Sequence, residues 1–221
     1  MKGWAGMATV GYGGIFAEVA AQSATGFSVS ADARVALVRV LGRSAAVMYR
    51  PDAGEFRRRH EVDLGAVTRM DHLELLLGLP HGCAVPCASL TGHERNLLRS
   101  LPAGSVESAG GTVTRRALAP LRVELAAVRA NEWRRGLNQA SLFAPFCSRA
   151  IVLGRAPKDA DAMLAEAAYF GIGIVLAETG EVQVLADPEP FRRQGHKAAG
   201  WWFAEEIYAQ VSGSAAAGCA A

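Results

Sequence analysis

Hydrophobic and polar positions alternate at a spacing of two in residues 33–40, with Val35 and Leu37 on one side and Ala36, Val38 and Val40 on the other. That reads as a strand. Gly42-Arg43 signals a turn, and 45–49 is a second short strand ending before Pro51, so the pair predicts a hairpin. A polar link carrying Arg57, Arg58, Arg59 and His60 between carboxylates then reads as a charged surface loop. From 67 to 77 the period lengthens: Met70, Leu73, Leu76 and Leu77 form one helical face that Gly78-Leu79-Pro80 stops. Thr91-x-x-Glu94 has the form of a capping box opening a further helix, and 106–116 reads as a loose hairpin around Gly110-Gly111.

The strongest pattern lies in the second half. An apolar strand at 121–129 leads into 131–146, where Trp133, Leu137, Ala140 and Ala144 recur at helical spacing and Arg134, Arg135, Asn138 and Gln139 fall near the opposite side. Asn131 is the expected cap of this helix. A short strand at 150–153 follows, and then a helix opened by Pro157 and Asp159 and closed by Gly171. Two strands come next, 172–177 and 182–185, joined by a hairpin turn at 178–181, and a last helix spans 200–211. Strand, helix, strand, helix, strand, strand predicts an α/β class: a mixed central sheet with an antiparallel edge, flanked by helices. The expected organisation is a flexible Gly/Ala-rich leader at 1–30 and a small α+β region at 31–90. An α/β domain at 91–190 and a terminal helix with a disordered tail at 191–221 complete it.

Composition narrows the class without naming a role. At 221 residues and 51% hydrophobic the chain can bury a sizeable core. Its 23 basic and 21 acidic residues leave a net charge of +2, so any attraction to nucleic acid has to come from local clusters, at 34–69, 115–135 and 192–197. Four cysteines are too sparse for a disulfide-stapled module, and no run of eighteen apolar residues is free of charge. The N-terminus shares features with an export signal, but it is glycine-rich with a single basic residue, and a cytoplasmic location is expected.

Individual motifs carry little chemistry. Gly11-Tyr12-Gly13-Gly14 lacks the Gly-Lys-Ser/Thr of a phosphate loop. His81, Cys83, Cys87 and His93 are of the types zinc takes, but at the wrong spacing for a knuckle, and they read as spectators. No serine or cysteine sits in a nucleophile-elbow setting.

The order of elements and a set of short motifs resemble the restriction-endonuclease-like fold, the PD-(D/E)xK nuclease superfamily, as found in hypothetical proteins of high-GC bacteria. The residues concerned are Arg122–Arg129, then Glu132-Trp133-Arg134-Arg135, Gln139-Ala140, 150–153 and Gly171-Ile172-Gly173-Ile174, within roughly 91–187. The resemblance implies a restriction-endonuclease-like C-terminal half. It also implies a site where carboxylates on a strand hold Mg²⁺ and a neighbouring lysine activates water. Set on Glu124, the lysine position is Ala126; set on Trp133, the pair becomes Ala127 and Arg129, which keeps a cation and loses the carboxylate. No aspartate occurs between Asp71 and Asp159. The expectation is therefore a degenerate, non-catalytic domain without a cofactor that acts as a scaffold or associates with nucleic acid. Its contacts would be Arg115, Arg116, Arg134, Arg135 and Gln139. The alternative is a Mg²⁺-dependent DNA endonuclease with migrated ligands, in which Glu124, Glu107 and Arg129 are catalytic and Glu94 and Glu124 hold the metal. A third reading is an interaction module whose partner, another protein or a second copy, meets Trp201, Trp202 and Phe203.

Overall fold

The protein is described from a computed structural model that covers residues 29–30, 32–178, 181–192 and 197–218. Most of the expected leader, and the 179–180 tip of the 178–181 turn, lie outside the described residues. Nine strands and six helices occur among those described: β1 (Arg34–Val40), β2 (Arg43–Pro51), α1 (Ala53–Glu61), α2 (Met70–Gly78), β3 (Ala84–Pro86), α3 (Gly92–Ser100), β4 (Val106–Ala109), β5 (Thr112–Arg115), β6 (Leu121–Ala130), α4 (Trp133–Ser141), β7 (Ser148–Leu153), α5 (Ala160–Phe170), β8 (Ile172–Glu178), β9 (Glu181–Ala186) and α6 (Ala198–Gly218). A single 3₁₀ turn, Cys87–Ser89, stands between β3 and α3. The chain divides into two compact units, Met1–Arg50 with Val123–Arg192, and Pro51–Arg122 with Arg193–Ala221.

The first unit is built on a mixed six-stranded sheet in the order β1-β2-β6-β7-β8-β9. β1 and β2 form the expected hairpin, turning at Leu41 and Gly42, which have φ of 55° and 71°. Two left-handed residues match the right-handed twist of a tight hairpin, and Leu41 accepts this conformation at a cost that Gly42 avoids. β6, β7 and β8 run parallel, and β9 returns antiparallel to β8. Parallel strands need crossovers, and α4 and α5 supply them. Both helices lie on one face of the sheet: Trp133, Leu137 and Ala140 of α4 and Met163 and Ala167 of α5 share a buried cluster with Ile151, Leu153, Ile172 and Ile174. Gly136 permits this approach, because a Cβ there would stand 2.8 Å from the Ala130 Cβ. The other face carries Ala46, Met48, Leu125, Ala127, Ala150, Val152 and Val175, all buried. Burial on both faces explains the near-continuous apolar run of β6. Asn131 does not cap α4; the N-cap is Glu132, whose side chain makes no capping bond. Gly171, with φ of 63°, ends α5 as expected.

The second unit corrects the reading of the arginine run. Residues 57–60 belong to helix α1, whose N-cap Asp52 accepts from the Glu55 N–H at 2.9 Å. Arg59 is buried, and its guanidinium bonds Glu205 through two nitrogens (2.8 and 2.6 Å), Glu55 at 2.8 Å and the Leu118 carbonyl at 2.9 Å. The helical period turns one of three adjacent arginines inward, which a loop reading overlooks. α3 has both halves of its capping box. β3, β5 and β4 make a small antiparallel sheet in that order, the β4–β5 turn being Gly110-Gly111. α6 continues to Gly218, beyond the expected end at 211.

Candidate nucleic-acid interface

β6 delivers Ala127 and Arg129 to one face of the sheet, since alternate strand residues point the same way. Ala127 is fully buried against its neighbours from β2, β7 and β8, whereas Arg129 is exposed near the strand's C-terminal end. Beyond that end the chain turns through Asn131 into α4. A cleft of about 230 Å³ opens there, lined by Asn131, Glu132, Trp133 and Arg134 after β6 and by Leu153, Arg155, Pro157 and Asp159 after β7. This is the end of a parallel sheet where crossover loops leave room for ligands.

Asp159 organises the cleft. It accepts from the Trp133 indole Nε1 at 3.0 Å and pairs with the Arg134 guanidinium at 3.2 Å, which itself lies 4.1 Å above the Trp133 ring. The indole bond, supported by the guanidinium, holds the Asp159 carboxyl below the usual aspartate range. Asp159 was expected to open α5; as its N-cap it makes no side-chain capping bond and instead joins α4 to the β7–α5 loop. Arg129, Arg135 and Arg155 are exposed and have no carboxylate partner among the described residues.

The three candidate carboxylates have separate engagements. Glu124 sits on β6 and accepts from the Ser30 N–H at 2.7 Å and the Ser30 hydroxyl at 2.8 Å, with Arg50 at 3.9 Å. It is five residues from Arg129, about 16 Å along an extended strand, so the two cannot serve one reacting centre from that strand. Glu107 and Glu94 belong to the second unit. Glu107 is exposed and pairs with Arg116 at 2.5 Å. Glu94 accepts from the Thr91 N–H at 2.7 Å, closing the capping box; that bond holds its carboxyl below the usual range. Among the described residues no three His, Cys, Asp or Glu side chains stand close enough to hold a metal ion.

The predicted arginine contacts separate in the same way. Arg134 and Arg135 lie on the first turn of α4, and Gln139 is half-buried further along it. Arg115 and Arg116 lie in the second unit. Arg115 is half-buried, donates to the Leu76 carbonyl at 2.9 Å and stacks 5.7 Å from the Trp201 ring centre; burial lowers its pKa. It packs more than it reaches out. Trp201 and Phe203 are buried, the former donating its Nε1 to Glu205 at 2.8 Å, so these two members of the expected protein contact are core packing of α6, while Trp202 is half-buried against the cluster of Leu73, Leu76 and Trp201. Sequence reading missed Arg155 at the rim of the cleft. Its signal was its place just beyond an apolar strand in a strand–helix connection.

No protein-family model, curated protein or solved structure matches this chain. No helix among the described residues is long and apolar enough to cross a membrane.

Proposed function

We propose that the chain is a non-catalytic nucleic-acid-binding protein built on a nuclease-like sheet. The observation that carries this reading is the pair on β6: Ala127 packed in an apolar layer where the resemblance calls for a carboxylate, and Arg129 exposed two residues later. Hard divalent ions require oxygen ligands, and the side chains packed with Ala127 come from Ala46, Met48, Leu125, Ala150, Val152 and Val175. Arginine stays protonated, so it serves to hold a phosphate and not to take a proton from water.

Arg129 near the end of β6, Arg135 on the first turn of α4 and Arg155 just after β7 are cationic groups that can exchange counterions for phosphates. Arg134 is kept in place by Asp159 and Trp133. The uncapped first-turn amides of α4 add donors of the right polarity. Such contacts read the backbone and not the bases. Titrating a labelled oligonucleotide with the wild type and with the Arg129→Ala/Arg135→Ala double variant tests this. Weaker binding by the variant is expected, with a slope of log K against log salt shallower by about 2. Unchanged affinity and slope would remove this surface from the account.

A further inference from the structure

The second unit contains an arrangement that goes beyond this reading and uses none of its residues. From Met70 the elements run helix, strand, 3₁₀ turn, helix, strand, strand, and the three strands pair antiparallel in the order β3-β5-β4, first with third and third with second. This is the topology of a winged helix, with the second of its three helices reduced to the Cys87–Ser89 turn. In that arrangement the helix before the hairpin, here α3, is the one presented to DNA, and the β4–β5 hairpin is the wing.

α3 has the surface for this role. None of its residues is buried. Leu98 packs inward against the Leu79, Leu90 and Val113 cluster, leaving Gly92, Arg95, Asn96 and Arg99 as an exposed stripe at i, i+3, i+4 and i+7. Each stripe residue except the glycine is of a type that reads base edges or phosphates: arginine pairs with guanine or phosphate, asparagine with adenine. The stripe carries two arginines and no carboxylate; Glu94 lies on the other side of α3 with its side chain turned back to the Thr91 N–H. A helix with its side chains, about 10–12 Å across, fits a major groove about 12 Å wide. The His72 ring nitrogen, 2.9 Å from the Ser100 hydroxyl, ties the end of the helix down. Arg95 rests on the Leu90 carbonyl at 2.6 Å and Arg99 on the Asn96 side-chain oxygen, bonds that are exchanged for DNA on docking. At the hairpin tip Gly110 and Gly111 both have positive φ (57° and 76°) and are exposed, so backbone N–H groups come forward without side chains in the way.

We propose that residues 70–116 form a winged-helix-like reader of double-stranded DNA, with Arg95, Asn96 and Arg99 of α3 entering the major groove. The partner is a duplex, because a helix stripe of this kind matches a groove and α3 exposes no Phe, Tyr or Trp for single-stranded bases to stack upon, its one exposed ring, His93, lying outside the stripe.

The test uses the full chain and a fluorescent 30-base-pair duplex, read by anisotropy against salt, with an unlabelled single strand of the same sequence as competitor. Arg95→Ala/Arg99→Ala is expected to weaken duplex binding at least tenfold and to lower the salt slope by about 2. The duplex is expected to resist competition by the single strand. Arg99→Glu, at a position whose one side-chain bond is to Asn96, serves as a second variant should loss of the Arg95 bond unfold the helix. Duplex affinity unchanged in Arg99→Glu, or equal affinity for the single strand, would overturn the proposal. Binding lost in Arg129→Ala/Arg135→Ala but kept in the α3 variants would overturn it while leaving the sheet-end reading intact.

Discussion

Arg59 shows what a single residue does in this protein. Its charge is removed from water and matched by Glu205 and Glu55. Removing one partner strands the others. Arg59→Ala should therefore cost about 3–5 kcal/mol in urea unfolding, while Arg57→Ala, two residues away and exposed, should stay within about 0.5 kcal/mol. The same region predicts acid sensitivity. Burial pushes the Glu55 carboxyl up, but bonds from Arg58, Arg59 and the Leu118 N–H outweigh it and leave the pKa below the usual glutamate value. Its stabilisation is present at neutral pH and is lost as pH falls from about 4.3 through the folded value. His72 adds an earlier step. Burial lowers its pKa, so the unfolded chain takes up the proton first and stability declines as pH drops below about 6.5. Melting curves between pH 7.5 and 3.5 should show both steps, with His72→Gln removing only the upper one. From the sequence Arg59 was one of three equivalent arginines, since nothing local marks which one meets Glu205, 146 residues on.

Among the elements, the β6–α4–β7–α5–β8 series was legible because each piece carries its own period and its own stop signal. Two things were not. The β2–β6 neighbour relation joins residues separated by the whole of 52–120, and no local pattern encodes it. The cap of α4 was misread because Asn131 has the right chemistry but lies one residue too early, the helix being set instead by the burial of Trp133. The fit of α4 on the sheet turns on Gly136. Alanine there gains helix propensity of about 1 kcal/mol, but its Cβ would come within 2.8 Å of Ala130 and 3.3 Å of Ile151. The overpacking cost of about 1–3 kcal/mol should win. Gly136→Ala is accordingly expected to lower the unfolding midpoint, whereas the same change at Gly65, where a Cβ meets nothing within 4 Å, introduces no clash.

At the scale of the whole molecule, a net charge of +2 gives little long-range attraction to DNA, so binding should depend on local arginines and fall steeply with salt. The candidate site was only partly legible for a related reason. The sequence displays Glu124 and Arg129 as neighbours on one strand, but not that Ala127 between them lies in a packed apolar layer, nor that Ser30 occupies the Glu124 carboxylate. The most direct test of the account is to incubate the purified chain with end-labelled duplex DNA and excess Mg²⁺ or Mn²⁺ at low salt. Half of each sample is resolved on a native gel and half on a denaturing gel. DNA should be retarded on the first and full-length on the second; metal-dependent cleavage, abolished by Glu124→Ala, would contradict a non-catalytic role.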